Sequence, residues 1–187
     1  MLDIRREWLS GRLVAMVSDR HTFGADAFLL ASFTPVSAGD VVCDLGCGCG
    51  ILSLLLERKG RPRRLDGVDL QPEAVSLAEQ AAAESGLQQK MRPRRGDLRT
   101  IACLFPPGQH SLVVCNPPYF LPVSANGAPP TARHLARQEV TCTFSEVAAA
   151  SAYLLSPGGR FCFCHRPQRL WDVVTAAGRD CRWSRPF

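Results

Sequence analysis

Three short stretches of this 187-residue chain carry residue types that can do chemistry. The run Leu112-Val113-Val114-Cys115 reads as a buried strand and stops at Asn116-Pro117-Pro118-Tyr119-Phe120. The two prolines end it, because neither can donate an N–H and each restricts the residue before it. They leave a set of acceptors and an aromatic face at the strand's C-terminal end. These are the carboxamide oxygen of Asn116, the carbonyl of Pro117 with no local N–H competing for it, and the ring of Tyr119. Open α/β sheets bind their ligands at that end of the strands. Taken alone, the run also fits a Pro-rich loop after a buried strand, so what decides is whether a cofactor site lies upstream.

Such a site is present. Val41-Val42-Cys43-Asp44-Leu45 is a near-continuous apolar strand, followed at once by Gly46-Cys47-Gly48-Cys49-Gly50 and a helical run from Ile51 to Lys59. In a strand, glycine loop and helix, backbone amides at the helix start can approach a ligand closely. The next strand, Leu65 to Leu70, carries Asp69, 19 residues beyond Gly50. A carboxylate there can accept both ribose hydroxyls of an adenosine. A nicotinamide dinucleotide enzyme shares this layout, but its fingerprint needs Gly-x-Gly-x-x-Gly/Ala, and counting from Gly46 and Gly48 the third position is Ile51. Gly-x-Gly-x-Gly behind an acid instead resembles a methyl-donor loop.

The elements that position these residues alternate between strand and helix. Residues 1–22 form an amphipathic lead-in without a decisive pattern. A glycine turn and short helix follow over Thr22 to Phe33, closed by Pro35, with Ala27, Leu30 and Ala31 at helical spacing. A helix begins at Gln71-Pro72-Glu73 and ends at Gly86. A strand over Met91 to Arg95 leads to Gly96-Asp97-Leu98, where Asp97 can cap a helix over Leu98 to Leu104. Beyond the proline run, residues 121–142 show no apolar period, and a connection that long is usually functional or disordered. A helix from Phe144 to Leu155, a turn at Pro157-Gly158-Gly159, a strand from Arg160 to His165 and a helix from Pro167 to Ala177 complete the series. The alternation predicts a parallel sheet covered on both faces, in one domain over residues 1–187, with a lead-in over 1–39 and a core over 40–187.

Hydrophobic content of 46% and charged content of 21% are ordinary for a globular chain. No apolar run is long enough for a membrane span, and the charged first thirty residues do not read as a secretory signal. Nine cysteines, an odd number with Cys43, Cys115, Cys162 and Cys164 in strands, suit a reducing cytosol and a cytoplasmic location. The spacings Cys47-x-Cys49 and Cys162-x-Cys164 differ from a zinc knuckle, so no metal is expected. The net charge of +5 is almost all arginine, since Lys59 and Lys90 are the only lysines, and it permits a nucleic-acid partner.

Taken together, Asp44 to Gly50, Gly67 to Glu73, Gly96-Asp97-Leu98 and Asn116 to Phe120 resemble class I S-adenosylmethionine-dependent adenine-N6 methyltransferases with an Asn-Pro-Pro-Tyr motif. Within them the chain is most similar to the bacterial tRNA(1)(Val) adenine-37 N6-methyltransferase family. The similarity extends to the Phe23 to Phe33 lead-in, to Phe120, and to the Arg-rich loop with Ala136-Arg137-Gln138-Glu139, although Gln138 stands where that group is expected to have histidine.

The resemblance implies a Rossmann-like α/β fold with a mostly parallel sheet. It assigns S-adenosylmethionine to Phe23, Asp44, Gly46, Gly48, Gly50, Asp69, Leu70, Asp97, Leu98 and Asn116. Phe23 would lie at the methionine end, and Asp97 would accept from the adenine amino group. It makes Asn116, Pro117 and Tyr119 catalytic, and places Pro118, Phe120, Arg133 and Arg137 against an RNA substrate, tRNA first among the candidates. Related enzymes with the same signature modify rRNA, DNA or the glutamine of release factors, and these remain alternatives. A complete sheet in this superfamily has seven strands, whereas Arg179 to Phe187 suffice for a sixth only. The expectation is therefore a C-terminally truncated chain without its final antiparallel strand, whose strand from Arg160 to His165 would be an exposed edge able to pair with a second copy.

Overall fold

A computed structural model describes residues 3–117, 142–165 and 167–177. Five parallel strands form its centre: β3 (Val41–Leu45), β4 (Arg64–Asp69), β5 (Met91–Arg95), β6 (His110–Cys115) and β7 (Leu155–Phe163), in the order β5-β4-β3-β6-β7. The two central strands β3 and β6 are near-continuous apolar runs because helices cover both faces, while β4 beside them buries the polar Asp66. Alternate residues serve the two layers. Val42, Leu65, Leu112 and Val114 join one cluster, while Cys43, Leu45, Val68, Val113 and Cys115 join the other.

The first layer contains α1 (Ala25–Phe33), α2 (Ile51–Gly60) and α3 (Pro72–Glu84). The second contains α4 (Phe144–Leu154) and a 3-10 helix over Leu98–Cys103. Helix α5 (Leu170–Ala177) follows a 3-10 turn at Pro167–Arg169, so the helix expected from Pro167 starts three residues later. Thr143 and Glu146 form a reciprocal capping box that fixes the start of α4.

The lead-in that showed no pattern is an antiparallel hairpin, β1 (Arg5–Ser10) and β2 (Leu13–Val17), turning at Gly11 with φ 54°. All five residues of β2 are buried against the first helical layer, and its backbone is stitched to α3 by the Ser85 hydroxyl, which accepts from Val14 N at 3.0 Å. The turn predicted at Pro157-Gly158-Gly159 is a bulge inside β7. The strand pairs at His110↔Leu155, then resumes at Leu112↔Arg160, with Gly158 at φ 77°. Residues 178–187, where a sixth strand was expected, lie outside the described residues.

Three polar assemblies tie the elements together, the first two centred on buried carboxylates. Asp40 accepts from Ser37 N at 2.7 Å, Ser37 Oγ at 2.9 Å, Ser111 Oγ at 2.7 Å and Arg160 Nη2 at 2.6 Å, joining the segment before β3 to β6 and β7. Burial works to raise the Asp40 pKa, but these donors outweigh it and hold the group at about 2. Below the middle of the sheet, Asp66 faces His110 Nε2 at 2.9 Å and accepts from Arg64 Nε at 2.8 Å. Both Asp66 and His110 are fully buried, and although burial would raise the carboxyl, His110 and Arg64 keep it below the ordinary aspartate range. Lys59 Nζ, at the end of α2, donates to the carbonyls of Ala31, Ser32 and Thr34, closing the C-terminus of α1.

Candidate active site

The sheet register brings the three chemical stretches together. Leu45 pairs with Val68 on one side and with Cys115 on the other. The next residues along each strand, Gly46, Asp69 and Asn116, therefore stand abreast at the C-terminal edge. With strands about 4.8 Å apart, Asp69 and Asn116 flank the glycine loop across about 10 Å.

The loop is folded onto β4 by Gly46 N and Cys47 N, which both donate to Val68 O at 2.8 and 3.0 Å. Gly46 and Gly48 adopt φ of 73° and 54°, and a Cβ built on either would meet no atom within 4 Å. Their outer faces therefore border open space that a ligand can occupy at backbone distance. Gly50 serves differently. It caps α2 at φ 81°, its N–H is used by Cys47 O at 2.8 Å, and a Cβ would run into Met91 and lie 3.2 Å from Ala78 Cβ. Its glycine is required by packing against α3 and β5.

Asp69 is half-buried and fixed by two backbone donors, Gly48 N to Oδ2 and Gln71 N to Oδ1, each at 2.9 Å. Each oxygen accepts one bond, leaving acceptor capacity on both for a diol. Asp44 is buried at the end of β3, where Ser53 Oγ donates to it at 3.3 Å. Burial raises its pKa, the Ser53 bond pulls it back, and the charge of Asp69 adds to the rise, leaving it at about 7. Sequence reasoning did not mark Ser53. It is the one polar residue in Ile51–Leu56, and that was the available signal. Gly67 entered the sequence reading only as the first residue of the stretch to Glu73, with no role assigned; a Cβ there would lie 3.0 Å from Cys47 Sγ, so this glycine lets the loop seat on β4.

Burial pushes the Cys47 and Cys115 thiols well above the ordinary range and Cys49 to about 11, so all three are neutral packing atoms at pH 7. Among the described residues, no three His, Cys, Asp or Glu side chains converge as a metal site would need, and no helix is long and apolar enough to cross a membrane.

Asp97 caps the 3-10 helix, accepting from Arg99 N at 2.9 Å and from the Arg99 guanidinium through Nε and Nη2. The capping role foreseen as the alternative is thus realised, and Arg99 is the carboxylate's partner. Leu70 and Leu98 are half-buried after β4 and at the start of that helix. Phe23, half-buried ahead of α1, packs against the first core cluster and the Phe28 ring, with centroids 5.9 Å apart. No hydrogen bond or ring contact among the described residues joins it to the glycine loop. Asn116 and Pro117 are half-buried at the end of β6. Pro118, Tyr119, Phe120, Arg133 and Arg137 lie outside the described residues.

Residues 42–138 match the model of a methyltransferase domain. The chain is 33% identical over 167 residues to a tRNA1(Val) (adenine(37)-N6)-methyltransferase of Tolumonas auensis, an alignment covering 85% of this chain and 68% of the relative. The enzyme of the same name from Yersinia enterocolitica is 33% identical over 161 residues, covering 86% of this chain and 62% of the relative. This chain thus spans little more than three fifths of the latter's length. Among solved structures, a predicted O-methyltransferase from Agrobacterium tumefaciens has the same fold, with a TM-score of 0.64 at 18% identity over 82% of this chain and 67% of that one. The chain belongs to the methyltransferase-domain family and is a homologue of the tRNA1(Val) (adenine(37)-N6)-methyltransferases.

Proposed function

We propose that this chain transfers the methyl group of S-adenosylmethionine to the exocyclic nitrogen of an adenine in tRNA. The observation that carries the reading is the register placing Gly46, Asp69 and Asn116 abreast at one sheet edge. The donor set fits the cofactor. Open space borders Gly46 and Gly48, Asp69 keeps acceptor capacity for the ribose hydroxyls, and Asp44 supplies a carboxyl of adjustable charge beneath the loop. When bound, S-adenosylmethionine supplies an electrophilic methyl on a sulfonium whose own charge makes it a good leaving group.

The residues of the chain then act on the acceptor. An exocyclic adenine nitrogen has its lone pair delocalised into the ring and is a poor nucleophile. Asn116 Oδ1 and the Pro117 carbonyl accept from its two N–H bonds, holding the hydrogens out of the ring plane and freeing the lone pair. As the C–N bond forms and the C–S bond breaks, positive charge grows on nitrogen and both hydrogen bonds strengthen, so they raise rate more than affinity. The surplus N–H proton leaves to solvent afterwards. Tyr119, by its place in the motif, stacks on the base, which must leave its helix or loop to reach the edge.

The tRNA substrate is supported by the two relatives at 33% identity and by the basic balance of +5. The test is incubation with labelled methyl donor and separate pools of tRNA, rRNA and release factor, followed by mass analysis of nucleosides and peptides. N6-methyladenosine in the tRNA pool is expected; label in glutamine alone would overturn the reading.

A further inference from the structure

We infer that the outer strand β5 is a docking strip for the phosphate backbone of the RNA substrate, an inference that rests on the tRNA reading above. β5 is hydrogen-bonded to β4 on one side, and among the described residues nothing pairs with its other edge. Its sequence is Met91-Arg92-Pro93-Arg94-Arg95, and all three arginines are exposed.

Their charges lack carboxylate partners among the described residues. Arg92 donates to the Gln89 carbonyl at 3.3 Å, Arg94 donates to the Leu104 carbonyl at 3.4 Å and lies over the Phe105 ring at 5.0 Å, and Arg95 has no side-chain partner there. Other arginines are neutralised, Arg5 by Asp19, Arg6 by Glu84, Arg64 by Asp66, Arg99 by Asp97 and Arg160 by Asp40, and those without such a partner among the described residues, Arg12, Arg58, Arg61 and Arg63, lie elsewhere in the chain, so β5 is the strand that gathers three uncompensated arginines within four residues. Cationic side chains held in place on carbonyls and a ring, with their charge uncompensated, suit an anionic partner. The planar guanidinium suits phosphate in particular.

The placement suits a substrate that must reach the active edge. Arg95 lies opposite Asp69 in the register, so one end of the strip sits beside the catalytic edge, and Arg92 lies about 10 Å further down the strand. Arg92 and Arg94 project on one face and Arg95 on the other, so the cations straddle the edge as they would straddle a backbone laid along it. None of the exposed large apolar residues, among them Trp8, Phe33 and Trp171, belongs to β5. A membrane surface or an apolar protein partner therefore finds no exposed large apolar side chain on the strand itself. The competing account is that the arginines only deter edge-to-edge pairing.

The experiment is tRNA binding across a salt series from about 50 to 200 mM for the wild type and Arg92→Gln/Arg95→Gln. Loss of two phosphate contacts should make the slope of log affinity against log salt shallower by about 1.4–1.8, with melting temperature and S-adenosylmethionine affinity unchanged. Arg95→Gln alone, at the side chain that packs on no partner, repeats the test with a change of about 0.7–0.9 should the double variant be unstable. An unchanged slope overturns the inference, and increased light scattering with it would select edge protection. Methylation of tRNA by the wild type is scored separately. Methylation with an unchanged slope removes the strip and leaves the reading standing, whereas a shallower slope without methylation does the reverse.

Discussion

Removing the charge of Asp44 should make the protein more stable in base while weakening its hold on the cofactor. An aspartate of ordinary pKa 3.8 in the unfolded chain becomes one of about 7 in the fold. The folded state therefore binds this proton more tightly. Its contribution to stability is greatest below 3.8 and is lost as pH rises through about 7. At about 1.36 kcal/mol per pH unit the whole loss is about 4 kcal/mol. Between pH 5 and pH 8 it comes to roughly 2–3 kcal/mol, the rest having been lost below pH 5. Asp44→Asn does not titrate. It retains an oxygen for Ser53, and any fixed cost of burying its amide cancels when wild type and variant are compared at two pH values. Over that interval the variant should gain on the wild type by about 5–10 °C in melting temperature, at 2–4 °C per kcal/mol for a chain of this size. Thermal denaturation of both proteins at pH 5 and pH 8 measures it directly. Parallel pH dependences would refute the assignment of a protonated, buried carboxyl. Calorimetric titration with S-adenosylmethionine at pH 6, in buffers of differing ionisation enthalpy, should show proton release by the wild type and none by the variant, because a cationic ligand favours the ionised carboxylate.

Asp69→Ala should weaken S-adenosylmethionine binding by about 2–3 kcal/mol, the range for hydrogen bonds to a charged group; unaltered affinity by calorimetry would remove Asp69 from the cofactor site. Asn116→Ala should leave the melting temperature and cofactor affinity near the wild-type values while lowering turnover on tRNA by roughly a hundredfold or more, and near-normal turnover would contradict the amino-group mechanism. Asp40→Asn addresses the junction of β3, β6 and β7. The Asp40 pKa of about 2 lies below the unfolded 3.8, so its stabilisation is complete above 3.8 and is lost as pH falls through about 2. The variant should lose about 2 kcal/mol to urea denaturation at neutral pH and only about half of that at pH 3, whereas a deficit that does not shrink in acid would assign the loss to packing.

The residues around Asp44, Asp69 and Asn116 were legible in the sequence because their signals are local. A strand must run apolar when helices cover both faces, glycines must appear where the backbone takes positive φ, and two prolines must end a strand. Those rules placed β3, β4, β5 and β6 at or within a residue or two of their bounds, and with them the sheet edge where Gly46, Asp69 and Asn116 stand abreast. The lead-in was opaque for the opposite reason. Leu13 to Val17 is too short to declare itself, and its burial depends on α3, whose Ser85 lies 71 residues from Val14.

Distance along the chain hid the polar core as well. Asp66 and His110 are 44 residues apart, and Asp40 and Arg160 are 120 apart. Each would pass for a surface residue until its partner arrives. Asp97 shows the limit within a single turn, since the sequence allowed either a cap or a ligand contact, and in the fold its carboxylate caps the 3-10 helix through the Arg99 backbone N–H while the Arg99 guanidinium pairs with it. Periodicity and turn chemistry are properties of neighbouring residues and can be read from their order. Whether a charge is buried, and what it then does to a pKa such as that of Asp44, depends on which remote groups the fold delivers, and only the tertiary structure decides that.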